Sequence, residues 1–129
     1  MLNFFKSTQL INKESAIRGR EDPIFIPKIH HFNGRKIQPP WPQNHSRFVI
    51  AMGCFWGVEK LFWNLMGVEM TAVGYSGGTV IDPTYNNVCL SDTGHNEVLL
   101  LHYNPTIIST DTILKKHICL RLRTHIQMI

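Results

Sequence analysis

A single cysteine sits where an apolar run stops and an amphipathic run begins, and it is the residue best placed to do chemistry. Cys54 lies in Met52-Gly53-Cys54-Phe55-Trp56-Gly57. Ahead of it, Arg47-Phe48-Val49-Ile50-Ala51-Met52 has the length and apolar content of a strand. After it, Phe55, Val58, Phe62, Leu65 and Met66 recur at helical spacing, with Glu59, Lys60 and Asn64 on the other side. A thiol at such a junction meets unpaired backbone N–H groups and the positive end of the helix dipole. Both favour the thiolate, which is the nucleophile. The same spacing also suits a small core residue, because free cysteine is commonly buried. Phe55 and Trp56 either wall a small apolar pocket or simply pack, and Gly53 and Gly57 ease the turn.

Glu97 is the candidate partner. It stands in a strand otherwise made of Val98, Leu99, Leu100 and Leu101. Apolar burial favours a protonated carboxyl able to donate, whereas an outward-alternating position leaves an ordinary surface residue. The pattern alone leaves these two readings even. His95 either orients Glu97 or faces solvent. Gly74-Tyr75-Ser76-Gly77-Gly78 has neither the GxGxxG spacing nor the lysine of a phosphate loop, so it reads as a tight turn.

Bulk properties exclude several classes. The chain has 129 residues, 43% of them hydrophobic and 17% charged, a globular balance for one domain. The net charge of +4 comes from scattered basic residues, with a late cluster at Lys115, Lys116, Arg121 and Arg123. This reads as solvated surface, so neither nucleic acid nor membrane is an expected partner. No apolar run has the length of a membrane span. The three cysteines, Cys54, Cys89 and Cys119, have no framework spacing, which suits a reducing compartment, the cytoplasm. Phe4, Phe5, Lys6, Arg18 and Arg20 sketch a mitochondrial presequence as the alternative, against which Glu14, Glu21 and Asp22 count. Seven histidines occur without HExxH or paired Cys/His spacing, and adjacent His30 and His31 cannot share a helix face, so no metal site is expected.

The elements that position these residues follow from the pattern. Residues 1–22 read as a loosely attached tail, and five prolines between Pro23 and Pro42 as an extended arm lying across the domain. Expected next are a strand over Phe48–Met52, a helix over Phe55–Met66 stopped by Gly67, and a strand over Val68–Tyr75. A short helix follows from Pro83 to Leu90, broken by Ser91-Asp92-Thr93-Gly94. A strand over Asn96–Tyr103 and a terminal helix capped by Thr110 or Asp111 complete the set. The fold class is α+β, with a β-α-β-β-α core, an N-terminal arm, and one strand short of a ferredoxin-like plait.

Four motifs in series carry a resemblance. Gly53-Cys54-Phe55-Trp56-Gly57 is followed by Gly74-Tyr75-Ser76-Gly77-Gly78, Asp82-Pro83-Thr84-Tyr85 and Thr93-Gly94-His95-Asn96-Glu97-Val98. In this order and spacing they resemble the A-type peptide methionine sulfoxide reductases, and the likeness runs from about Lys28 to about Lys116. The resemblance implies an α/β plait and a thiol-dependent reduction of the S epimer of methionine sulfoxide, free or in proteins. It makes Cys54 the nucleophile and Glu97 the acid. Tyr85 becomes a hydrogen-bond donor to the sulfoxide oxygen, with a helix-edge core tyrosine as the other reading, and Phe55 and Trp56 the methyl pocket. A sulfenic acid on Cys54 would be recycled by a second cysteine and then thioredoxin, or by a small thiol, with no metal or prosthetic group.

The departures lie at the C-terminal end. Family members carry a His-Asp-Pro-Thr segment after the last helix, then an Asp and a Tyr, whereas no Asp or Tyr follows position 111 here. The expected division is therefore a tail over 1–22, an incomplete reductase domain over 23–116 and a divergent tail over 117–129. The final strand and distal resolving cysteines are missing, and neither Cys89 nor Cys119 clearly replaces them. A non-catalytic member that binds oxidised methionine or a partner protein is the alternative function.

Overall fold

The computed structural model describes residues 17–22, 24–90 and 93–126, with side chains to position 119. Most of the expected N-terminal tail, and Ser91-Asp92 of the expected break, lie outside the described residues. The elements are β1 (Ser46–Ala51), α1 (Phe55–Phe62), β2 (Val68–Ser76), α2 (Tyr85–Leu90), β3 (Asn96–Tyr103) and α3 (Thr110–Ile126). The three strands form one sheet in the order β1-β3-β2. β1 runs antiparallel to β3 in an unbroken register from Ser46↔Tyr103 to Ala51↔Val98. β3 thus separates the two strands that α1 joins, which is the arrangement of a split β-α-β unit. The class is α+β, as expected.

The chain divides into two compact units. The larger is Phe25–Gly74 with Glu97–Ile129, and the smaller is Met1–Ile24 with Tyr75–Asn96. In the larger unit Ile50, Phe62, Val68, Leu99, Leu101, Tyr103, Ile108 and Ile113 form the core, with Phe48, Met52, Val58 and Leu65 against it. The alternation of β1 follows: Phe48 and Ile50 turn inward, while Val49 is 54% exposed on the opposite face. Phe62 is fully buried and anchors α1 to this core. Phe62→Ala should cost about 3–5 kcal/mol of unfolding free energy, read from the urea midpoint, because the site cannot collapse around the lost ring.

β1 runs Ser46–Ala51 rather than Phe48–Met52 and β2 ends at Ser76 rather than Tyr75, and three helix ends differ from expectation for local reasons. α1 stops at Phe62 rather than Met66, because Leu65 N–H bonds back to Phe62 O at 3.0 Å and Val68 N–H to Leu65 O at 3.0 Å. These tight i→i+3 turns keep Leu65 against the core while leaving Met66 exposed. α2 begins at Tyr85, not Pro83, because Thr84 and Asn87 cap it reciprocally. Asn87 N–H donates to Thr84 Oγ1 at 3.1 Å, and Thr84 N–H donates to Asn87 Oδ1 at 2.8 Å. The cap of α3 is Ser109 rather than Thr110 or Asp111, with Thr112 N–H donating to Ser109 Oγ at 3.1 Å.

The arm is more ordered than an extended strap. Ile29 bridges Lys36, and His30 N–H donates to Arg35 O at 2.7 Å, which closes a small hairpin. Further along, the Trp41 and His45 rings each lie 5.1 Å from the His102 ring of β3, and Arg47 sits 5.3 Å over Trp41. Burial, then the nearby His45 and Arg47, lower the His102 pKa from its ordinary value of 6.5, against an opposing pull from Glu69. Between that lowered value and 6.5 the unfolded chain binds a proton that the folded chain does not, so stability rises with pH. The contribution is complete above 6.5 and is lost as pH falls through the folded value. His102→Gln should flatten the pH dependence of the urea midpoint across that window, measured beside the wild type.

The smaller unit buries Val80, Val88 and Thr93. Its turn is tied by Thr79 N–H donating to Thr93 O at 3.1 Å. Gly78 is required there, because a Cβ would collide with Thr93 O and the His95 ring.

Candidate active site

β1 ends at Ala51, and Gly53, at φ +82°, turns the chain into α1 through a conformation that residues with a side chain rarely adopt. Cys54 then occupies the N-cap position of α1 at φ −53° and ψ 107°. Its side chain makes no cap hydrogen bond, and the residue is exposed. Cys54 is therefore at the solvent-facing start of the helix, not a core cysteine.

The capping partner comes from β3. Phe55 N–H donates to Glu97 Oε2 at 3.0 Å across 42 residues of sequence. The sheet register explains the meeting: Ala51 pairs with Val98, so Glu97 stands one residue beyond the last pair, beside the point where β1 leaves the sheet. Glu97 is half-buried. A thiol and a carboxyl thus share the N-terminus of one helix, the carboxyl held on the peptide next to the cysteine. A soft nucleophile and a group that can carry a proton are the two parts that attack on a sulfur–oxygen bond requires.

Other candidates fall out differently. Phe55 is half-buried, whereas Trp56 is 73% exposed. Tyr85 is the first residue of α2 in the smaller unit and is 58% exposed. The expectation that His95 orients Glu97 or faces solvent is corrected. Its Nδ1 accepts Gly78 N–H at 3.3 Å and its Nε2 lies 2.8 Å from Val80 O, so both ring nitrogens serve the Gly78 turn. Nδ1 being an acceptor, Nε2 is the nitrogen that donates. Cys89 on α2 and Cys119 on α3 are both exposed. Among the described residues, no group of three or more His, Cys, Asp or Glu is placed to hold a metal ion. Nor is any helix among them long and apolar enough to cross a membrane.

One polar cluster beside α1 joins residues that no local spacing links. Thr71 Oγ1 of β2 lies 2.9 Å from His30 Nε2 and donates to Glu59 Oε1 of α1 at 2.9 Å. His30 Nδ1 accepts Phe32 N–H at 3.2 Å, which leaves Nε2–H to donate to Thr71. His30 and Thr71 are buried, and Trp63 packs edge-on against the imidazole at 5.9 Å. The cluster pins arm, helix and strand together and so fixes the helix whose first turn carries Cys54.

Comparison with known proteins covers the same stretch of chain. The sequence model of the family described as "Peptide methionine sulfoxide reductase" matches residues 46–120, which hold β1, α1, β2, α2, β3 and most of α3. A peptide methionine sulfoxide reductase MsrA of Brucella anthropi is 44% identical over 112 residues, covering 87% of this chain and 51% of the relative. One from Photobacterium profundum is 50% identical over 105 residues, covering 81% of this chain and 50% of its own. The solved methionine sulfoxide reductase A of Corynebacterium diphtheriae superposes with a TM-score of 0.72 at 33% identity, over 84% of this chain and 50% of that one. The chain therefore spans about half the length of the relatives it matches. With the match reaching across both Cys54 and Glu97, the chain belongs to the peptide methionine sulfoxide reductase family.

Proposed function

We propose that this chain reduces the S epimer of methionine sulfoxide, free or in oxidised proteins, with Cys54 as nucleophile and Glu97 as proton donor. The observation that carries the reading is the Phe55 N–H to Glu97 bond at 3.0 Å, which holds the carboxyl against the residue that follows Cys54. The family names of the relatives support the reaction class. In the proposed step the Cys54 sulfur attacks the sulfoxide sulfur while Glu97 delivers a proton to the oxygen. The sulfur–oxygen bond and the newly formed sulfur–sulfur bond then break, the oxygen passes to Cys54 as a hydroxyl, and methionine leaves. The substrate sulfur gains two electrons and Cys54 loses two, ending as a sulfenic acid, the first reversible rung of cysteine oxidation. The apolar rings of Phe55 and Trp56 hold the methyl group, since such surfaces prefer it to a polar substituent. The oxygen-binding role of Tyr85 rests on the motif match alone. Thioredoxin or a small thiol, in the cytoplasm, then returns the sulfenic acid to the thiol.

A second reading is a non-catalytic family member that binds oxidised methionine or a partner protein. The observation favouring it is that Trp56, one of the two rings assigned to the methyl group, is 73% exposed. Single turnover separates the two. Reduced protein is mixed with a blocked S-epimer methionine sulfoxide, and methionine is counted against folded chains by circular dichroism on the same sample. About one methionine per folded chain, as the oxidation of one thiol allows, supports the reductase. A folded sample that releases none sinks it and leaves the binding reading.

A further inference from the structure

Two kinds of contact hold α1 to the sheet, and they fix different things. Phe62 and Val58 pack into the core and set how deep the helix lies. Apolar contact is non-directional, so it leaves the helix room to turn about its axis and to slide. That freedom matters at the other end, where Phe55 N–H meets Glu97 Oε2 beside Cys54. A hydrogen bond is directional and removes it. Thr71 of β2 supplies such a bond, donating from Oγ1 to Glu59 Oε1 at 2.9 Å. Glu59 lies four residues after Phe55, one turn along the same side of the helix.

The donation has a fixed sense. Phe32 N–H and Asn33 N–H both point at His30 Nδ1, at 3.2 and 3.4 Å, so Nδ1 accepts and the proton sits on Nε2. Nε2–H donates to Thr71 Oγ1 at 2.9 Å, which turns the hydroxyl proton toward Glu59. The Glu59 carboxyl also lies 3.5 Å from Nε2. Both imidazole nitrogens and the hydroxyl find these partners within the larger unit, and His30 and Thr71 are buried there. Apolar groups of the same shape would hold a fold about as well. They would lack direction.

We infer that His30, Thr71 and Glu59 are positioning residues for the Cys54–Glu97 pair. The chain of donation from the arm through β2 sets the rotation and height of α1, and with them how Phe55 N–H and Cys54 approach the Glu97 carboxyl. The effect on rate rests on the reductase reading of that pair, whereas the effect on geometry does not. Misplacing reacting groups by about 1 Å costs about 10²-fold in rate.

Two pairs of variants test this. Glu59→Ala removes the acceptor but keeps a strong helix former, and Glu59→Gln retains an oxygen that accepts from Thr71. His30→Asn offers an acceptor to the arm but no donor to Thr71, and His30→Gln does the reverse. Asn33 and Arg35 still tie the arm to β2 in both, donating to Glu69 O and Val68 O. The readouts are amide exchange at Phe55 and Phe62, and the single-turnover rate with saturating blocked S-epimer methionine sulfoxide. In Glu59→Ala and His30→Asn the Phe55 amide is expected to exchange about tenfold faster, the worth of one hydrogen bond, while Phe62 keeps its protection. Their rates are expected to fall about 10²-fold. Glu59→Gln and His30→Gln are expected to match the wild type in both readouts.

A merely structural role predicts otherwise: Phe55 and Phe62 exchange faster together, in step with the urea midpoint, without rescue by glutamine. That pattern overturns the proposal, as does a Phe55 amide in Glu59→Ala that exchanges at the wild-type rate. Should His30→Asn fail to fold, the Glu59 pair decides. A wild type that makes no methionine yet shows the expected exchange pattern sinks the reductase reading and upholds the positioning. An active wild type with Phe55 exchange unchanged in Glu59→Ala does the opposite.

Discussion

Cys54→Ser is expected to drop single-turnover methionine from about one per folded chain to background, with the fold unchanged. The two side chains differ little in size, so the loss reports chemistry. An alcohol stays protonated near neutral pH and has no accessible sulfenic state, so it can neither attack nor accept the oxygen. The position makes this substitution clean. Cys54 is an N-cap residue whose side chain makes no cap bond, and serine is among the preferred N-cap residues. The urea midpoint of Cys54→Ser should therefore equal or slightly exceed that of the wild type. Residual methionine from a folded Cys54→Ser protein would move the nucleophile to Cys89 or Cys119.

The second large effect belongs to Glu97, and two substitutions divide its roles. Glu97→Gln keeps an oxygen that can accept Phe55 N–H but removes the acidic proton. Its single-turnover rate should fall about 10²–10⁴-fold, the usual range for a lost general acid, with stability near that of the wild type. Glu97→Ala removes both functions. It should show the same loss of rate and an additional loss of about 0.5–2 kcal/mol, because the first turn of α1 gives up the partner of Phe55 N–H. Stopped-flow quench and urea unfolding on the same preparations measure the two quantities. If Glu97→Gln turned over at the wild-type rate, Glu97 would be a cap and not an acid. A stability loss in Glu97→Gln equal to that in Glu97→Ala would overturn the cap instead.

What could be read from the sequence was the part governed by local pattern. β3 spans Asn96–Tyr103 as expected, because its apolar run is long and bounded by turn residues. Cys54 at a strand-to-helix junction follows from a change of periodicity at one point. The end of α1 was not legible. Leu65 meets the apolar spacing of a helix, yet it reaches the core from a chain of i→i+3 turns, and spacing cannot tell these apart. The long-range contacts were illegible for a different reason. The bond from Phe55 to Glu97 spans 42 residues, and the one from His30 to Thr71 spans 41. Such pairs are set by which strands neighbour which, here β3 beside β1, and no window of residues contains that choice. His95 misled because loop position says little about a ring that two backbone groups hold.

The span of that first bond has a consequence for how the protein is made. Phe55, with Cys54 just before it, emerges from the ribosome 42 residues ahead of the carboxyl that meets it. At about 5–20 residues per second, that interval lasts a few seconds. During it the nascent chain carries a cysteine with no proton source beside it, on a helix whose first turn still lacks its partner. On the proposed chemistry the thiol meets its proton source only when β3 pairs with β1, so that pairing and the assembly of the reactive pair would be one event.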